Sequence, residues 1–327
     1  MSFFWRGTIS ARARKAWSAI SHAFYLDLAP ADATIFVSGS PRSGTTWLAE
    51  VLNSDNAYRF LGEPFTAGLV PQSNHFLIRQ YLRPDNNDPR YLKPARAIFA
   101  GKIRNAWVDN VNRCALPRGR IVKDVRTTLM LKWFRAHFPR MPIVYLVRHP
   151  CAVALSRVRL AFRTDLRNTY FAQPALMEDF LAPFADEIAR AQTPFERHLV
   201  DWCVESFVPF AQLERGDVFL AFYENVCSSE AELRKLFEYT GRPFNDAIAR
   251  RIHRPSLSTM AKGRGSQFFA QGTAIDAWRR QITPDELAAA QRITKAFGLE
   301  QIYGDNTLAD AEHANALFRG GAKKKRT

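Results

Sequence analysis

Residues 35–47 read Ile-Phe-Val-Ser-Gly-Ser-Pro-Arg-Ser-Gly-Thr-Thr-Trp. An apolar, β-branched run ends in a glycine-bearing turn, and the turn opens directly into a helix-competent stretch. That layout cradles an anion, because backbone N–H groups and the positive end of a helix face one point. Gly39 and Gly44 keep the spacing of the nucleoside-triphosphate loop G-x-x-x-x-G-K-[ST], but Thr45 stands at the lysine position. The cation has moved inside the loop, to Arg42. The two glycines let the backbone approach a ligand, and the N–H groups of Pro41-Arg42-Ser43-Gly44-Thr45-Thr46 that follow the proline are expected to point at it. Thr45 and Thr46 add hydroxyl donors. Trp47 either offers a flat face to a nucleobase or fills the core.

Three further groups sit where chemistry is expected. Arg148 ends the apolar run 143–147, and Ser156 follows on the next helical stretch. Ligands of open α/β sheets bind at the carboxyl ends of strands, so both can face the same anion. Glu63 lies in a Gly-Glu-Pro-Phe turn after a second strand, and that turn is expected to open into the same cleft. Burial beside Phe65 would raise the Glu63 pKa, and arginine neighbours would lower it. Lys123 and Arg126 leave a third strand and can hold an anion or an acceptor.

Positioning these residues requires alternating strands and helices. Strands are expected at 34–38, 57–61, 120–123, 143–147 and 217–222, with helices at 45–54 and 126–137. Pro150 suits the first position of the next helix. Thr193-Pro194 opens a helix to about 214, and Ser229/Glu232 and Thr283/Glu286 form capping boxes with Gly241 and Gly298 as stops. The fold class is therefore α/β: a central, mainly parallel sheet flanked by helices in three layers. The Gly/Ser-rich stretch 254–273 is expected to be a long loop of the lid kind. Residues 31–305 are expected to form one domain, preceded by a basic amphipathic segment, 1–30, and followed by a tail, 306–327, with a basic end.

With 327 residues, 47% of them hydrophobic, the chain can bury a full core. A net charge of +15, carried mostly by arginine, calls for an anionic partner. No helix-turn-helix, zinc-finger or RNA-binding pattern supports nucleic acid as that partner. Cys114, Cys151, Cys203 and Cys227 are widely spaced, which fits a reducing, cytoplasmic setting, and no Cys/His cluster predicts a metal site. The N-terminus has no signal-peptide pattern, and no window supplies a transmembrane span. Its aromatic and basic residues fit a helix lying peripherally on an anionic membrane, or one packed on its own domain.

Taken together, Pro41–Trp47 and the Arg148/Ser156 pair resemble the cofactor loops of sulfotransferases that use PAPS (3′-phosphoadenosine 5′-phosphosulfate). Gly62-Glu63-Pro64 and Lys123-Asp-Val-Arg126 resemble the carbohydrate and tyrosylprotein branches more than the small-phenol enzymes. Phe222-Tyr-Glu224 is similar to the family's Tyr-Glu-Asp-Leu stretch, and Trp278-Arg279 to its late Trp-basic pair. The resemblance spans about 34–300 and implies a P-loop-type, sulfotransferase-like fold. It implies that 41–47 hold the 5′-phosphosulfate and that Arg148 and Ser156 hold the 3′-phosphate. Lys262-Gly263-Arg264 resembles the loop that closes on that 3′-phosphate, with Ala261 in place of its first basic residue. It further implies Glu63 as base, Arg42 as stabiliser of the leaving group, Lys123 and Arg126 on sulfate or acceptor, PAP as product and no metal. The phenol branch's histidine is absent here; Asp124 and its neighbours hold that position, and His149 is better placed as a helix-entry residue. The acceptor is a hydroxyl of a carbohydrate, a glycolipid or a small natural product. The competing reading is a P-loop kinase using Mg-ATP, with Lys123-Asp124 as its metal-binding turn. Neither oligomeric state nor a role for 160–192 follows from the sequence.

Overall fold

The computed structural model describes residues 25–245, 248–249 and 275–318. The central strand β1, Thr34–Gly39, is buried along its whole length. Its side chains alternate between two covered faces, as a strand inside a parallel sheet requires. Ile35 and Val37 face one layer and Phe36 the other. With β2 (Tyr58–Gly62), β3 (Gly119–Asp124), β4 (Ile143–Val147) and β5 (Phe219–Phe222) it forms a five-stranded sheet in the order β2-β3-β1-β4-β5. Every pairing is parallel.

Helices cover both faces. On one side α1 (Thr45–Leu52) brings Leu48, Val51 and Leu52 onto Val37, Ile121 and Leu146. On the other, α2 (Pro89–Phe99), α3 (Leu131–His137), α4 (Pro150–Arg159) and α5 (Pro194–Gln212) bury Phe99, Trp133, Phe134, Val153 and Val204 with Phe36, Val122 and Tyr145. Phe36, Phe99 and Phe134 meet edge to face, with centroids 5.1–5.3 Å apart. The helices α6 (Tyr223–Ser228), α7 (Glu230–Tyr239), α8 (Pro284–Ala296) and α9 (Ala311–Leu317) follow. Packing continues past residue 305: Phe318 is buried against Phe210. Among the described residues, no helix is long and apolar enough to cross a membrane.

Register aligns the ends that carry chemistry. Gly62 pairs with Lys123, Ser38 with Asp124, and Gly39 with Leu146. The loops leaving β1, β2, β3 and β4 therefore emerge side by side along one sheet edge. The chain moves from β1 out to β2, and after β3 it crosses back to β4, so the loops after β1 and β4 part at the switch point where such sheets bind ligands.

The punctuation of the helices differs from expectation in two places. Thr283 and Glu286 form the full reciprocal box, and Thr193 does the same with Glu196. Ser229 accepts from Glu232 N–H, but Glu232 turns its carboxylate to Lys235 instead of back to the cap. The helix expected at 126–137 begins only at Leu131, after a 3₁₀ turn, Thr128–Met130. The Asp124 carboxylate accepts from Arg126 N–H, and the Ser38 and Thr127 hydroxyls meet at 3.3 Å. Those contacts keep 125–127 as a turn at the sheet edge.

Candidate active site

The loop after β1 is built around two left-handed residues, Arg42 (φ 78°) and Gly44 (φ 97°). Gly39 has to be glycine, since a Cβ there would lie 2.4 Å from the Leu146 carbonyl oxygen. At Gly44 a Cβ would meet the Tyr223 ring at 2.5 Å. The first turn of α1 has no side-chain cap, which leaves its amide donors available to an anion. Ser43 is wholly buried and its Oγ has no hydrogen-bond partner. A buried hydroxyl without a partner is costly, and a bound oxyanion would satisfy it.

Arginines surround this turn. Arg42 Nε donates to Ser156 Oγ at 3.0 Å, and Arg148 Nη1 donates to the Arg42 carbonyl at 3.1 Å. The Arg148 guanidinium lies 4.6 Å from the centre of the Tyr223 ring, a cation–π contact. Its backbone is pinned in turn, because Trp202 Nε1 donates to the Arg148 carbonyl at 2.8 Å. Partial desolvation pulls the Arg42 guanidinium below its ordinary range, and the charges of Arg148, Arg159 and Arg157 add to that pull. An anion bound beside Arg42 would offset the repulsion that the neighbouring guanidinium groups impose on it. The resemblance divides Arg42 and the Arg148/Ser156 pair between the two ends of one cofactor; the fold gathers all three into one cluster.

Glu63 is the third left-handed residue of the site (φ 51°), and its N–H donates to the Lys123 carbonyl at 2.7 Å. Its carboxylate is gripped at both oxygens: Lys123 Nζ lies 2.6 Å from Oε1 and Arg126 Nη1 lies 2.6 Å from Oε2. Burial alone would raise its pKa, but the charge and hydrogen bond of Lys123, with those of Arg126, outweigh it and hold the group down to about 2. Of the two opposing influences weighed from the sequence, the cations win.

Asp124 does not form the metal-binding turn that the kinase reading needs. It is completely buried, with Oδ2 accepting from Phe65 N–H at 3.0 Å and Oδ1 from Arg126 N–H at 2.8 Å. Both oxygens thus serve the turns that carry Glu63 and Arg126. Burial raises its pKa to about 6 against the opposing charge of Arg126, and Glu63 adds to the rise.

The remaining candidates divide. Thr45 is buried and Thr46 half-buried at the start of α1. Trp47 is 3% exposed and packs edge-on against Tyr223 at 5.5 Å, the core position weighed for it. His149 enters α4, where its Nδ1 accepts from Cys151 N–H at 3.3 Å. Its ring stacks on Trp278, and burial, with Arg279 and Arg148 nearby, lowers its pKa to about 3. Arg279 Nε donates to the Thr307 hydroxyl at 3.2 Å. Lys262, Gly263 and Arg264, with the whole of the expected lid, 254–273, lie outside the described residues.

A group of residues not singled out from the sequence lies beneath the loop. Arg157 is fully buried; its Nε donates to the Pro41 carbonyl at 3.1 Å, and its Nη2 to Ser40 Oγ and to Glu205 Oε2 at 2.8 Å. Ser40 donates its own hydroxyl to Glu205. Removing one member of such a buried pair costs about 3–5 kcal/mol of stability. One signal for it exists in the sequence: Asp201 and Glu205 stand one helical turn apart in a run, Leu199–Val208, that is otherwise apolar but for Ser206, where charges without partners cannot be buried.

The sequence matches a family model described as the sulfotransferase family over residues 34–246, a span that contains all five strands and the four edge loops. No curated protein matches the chain by sequence. Among solved structures, it is similar to the sulfotransferase domain from the curacin biosynthetic pathway at 15% identity, over 83% of this chain and 98% of that one, with a TM-score of 0.45. It is similar to mouse sulfotransferase SULT7A1 complexed with PAP at 15% identity, over 97% and 96% of the two chains, with a TM-score of 0.42. A retinol dehydratase in complex with retinol and PAP matches at 16% identity over 88% and 86%, with a TM-score of 0.40. The family match over most of the chain decides between the two enzyme classes left open by the loop, sulfuryl transfer over phosphoryl transfer. The chain belongs to the sulfotransferase family.

Proposed function

We propose that the protein transfers a sulfuryl group from PAPS to an acceptor hydroxyl. The observation that carries this reading is an anion cradle next to a carboxylate. The uncapped start of α1, the unpartnered Ser43 hydroxyl, Arg42 and Arg148 form the cradle, and Glu63 leaves the same sheet edge. PAPS supplies an SO₃ group on a phosphate leaving group, flanked by the anionic charges such a cradle binds.

In the transfer, the acceptor oxygen forms a bond to sulfur as the bond from sulfur to the bridging phosphate oxygen breaks. The acceptor proton passes to Glu63. Arg42 and the α1 amides take up the negative charge that develops on the departing oxygen, without reorganising at that moment. A guanidinium remains charged throughout and suits this task. With a pKa of about 2, Glu63 is ionised at neutral pH but weakly basic. A sulfate bound beside Lys123 and Arg126 competes for those cations, and each contact it takes returns basicity to Glu63. Donor binding thereby readies the base.

The acceptor class is that of the branch resemblance: a hydroxyl on a carbohydrate, a glycolipid or a small natural product. Radiolabelled PAPS incubated with the protein and with polysaccharide, glycolipid and small-molecule extracts tests the reading. Label transferred to one fraction, and lost with Glu63→Gln, supports it; label that stays on PAPS with every fraction counts against it.

A further inference from the structure

The network beneath the donor loop extends beyond the loop. Arg79 belongs to the segment that follows Glu63, and its side chain enters the same buried cluster. Its Nε lies 2.5 Å from Glu205 Oε1 and its Nη2 lies 3.2 Å from Asp201 Oδ2. Asp201 also accepts from the Tyr170 hydroxyl at 2.9 Å and faces Arg157 at 3.8 Å. The two oxygens of Glu205 are thus divided: Oε1 holds Arg79, and Oε2 holds Arg157 and Ser40. One carboxylate joins the donor loop to the segment that carries the base.

That segment is tied along its length. The Ser73 hydroxyl donates to the Pro64 carbonyl at 2.7 Å, next to Glu63, and the Phe65 and Phe76 rings meet at 5.2 Å. Gln173 donates to the Arg79 carbonyl at 3.0 Å and accepts from Tyr81 N–H at 2.8 Å. These contacts give a packed route between Arg79 and the turn that carries Glu63.

Backbone strain marks the same places. Among the described residues, five that are not glycine have a left-handed φ, and three of them are Arg42, Glu63 and Arg79. Such conformations persist only where the surroundings over-determine them. Buried ion pairs add little stability over apolar groups of equal volume, so stability alone does not account for four charges here.

We propose that Glu205, with Arg157 and Arg79, is a positioning device that sets Arg42 and Glu63 at a fixed separation across one reacting group. The inference rests on the sulfotransfer reading, since it takes Arg42 and Glu63 as the two working side chains. Glu205 and Arg157 are fully buried beneath the loop, and the Arg79 guanidinium is held between Asp201 and Glu205. The device matters because a shift of about 1 Å in relative placement can cost on the order of 100-fold in rate.

Hydrogen–deuterium exchange of the full chain with and without PAP tests this, and it requires no identified acceptor. In the wild type, PAP is expected to slow exchange both in the loop 40–46 and in the segment 76–82. Arg79→Lys keeps the charge but loses the two-pronged grip, and Glu205→Gln keeps the shape but loses the charge. In both variants protection by PAP should remain in 40–46 and disappear from 76–82. A merely structural cluster would lower the melting temperature without uncoupling the two segments. The proposal is overturned if PAP protects only the loop in the wild type, a result that depends on no variant, or if both variants transmit protection as the wild type does. Failure of the wild type to bind PAP would instead overturn the sulfotransfer reading.

Discussion

Lys123 Nζ lies 2.6 Å from Glu63 Oε1, so the proposed base begins in an ion pair with a cation suited to the sulfate. Replacing Glu63 by Gln removes the base and frees Lys123 and Arg126 together. Turnover should fall by about 100-fold or more, as loss of a general base does. PAPS should bind as tightly as in the wild type or more tightly, because two cations no longer have an internal partner. Measuring kcat and the PAPS dissociation constant side by side checks both; weaker PAPS binding would contradict this role for the pair.

Arg42 and Arg148 should separate in their effects. Arg42 is assigned to the departing oxygen, so Arg42→Ala should reduce kcat by about 100- to 1000-fold. Its effect on PAP affinity should be much smaller. Arg148→Ala removes a charged donor of the cradle and should weaken PAP binding by about 2 kcal/mol. Equal losses of binding and turnover in both variants would show that the two share one role.

Gly44 tests the shape of the cradle. Alanine there must adopt φ near 97° and place its Cβ 2.5 Å from the Tyr223 ring. The backbone strain alone costs about 1–3 kcal/mol. Gly44→Ala should lower the melting temperature and abolish measurable PAP binding. Normal binding would mean that the loop works in another conformation.

Asp124 gives a pH signature. Its folded pKa of about 6 lies above the ordinary aspartate value. The stability it contributes is therefore present below about pH 4 and is lost as pH rises through 6. Asparagine cannot titrate. The difference in melting temperature between wild type and Asp124→Asn should shift in the variant's favour between pH 4 and 7. A difference that stays flat across that range would contradict the assignment.

Local patterns carried much of this site in the sequence. Gly39, Arg42 and Gly44 follow an apolar run and precede a helix, which places an anion loop without tertiary knowledge. The strand ends that carry Glu63, Lys123 and Arg148 were legible for the same reason: short apolar runs bounded by turn residues. Contacts between distant segments were not legible. The turn at 125–127 replaces helix because Asp124 accepts from Phe65 N–H beyond β2 and Thr127 meets Ser38 on β1. The sign of the Glu63 shift depends on which side chains reach it, and spacing cannot decide that. The sequence also left open whether Trp47 faces a ligand or the core, since Tyr223 lies far away in the chain. Asp201 and Glu205 were visible as charges in an apolar helix, but their partners Arg79 and Arg157 come from two other segments.

Calorimetric titration of the purified full-length chain with PAP in the presence of a chelator, and separately with ATP and Mg²⁺, tests the central claim most directly. A cradle built from Arg42, Ser43, Arg148 and the α1 amides should bind PAP without metal and prefer it to Mg-ATP. Preference for Mg-ATP, or no heat with PAP, would contradict the account.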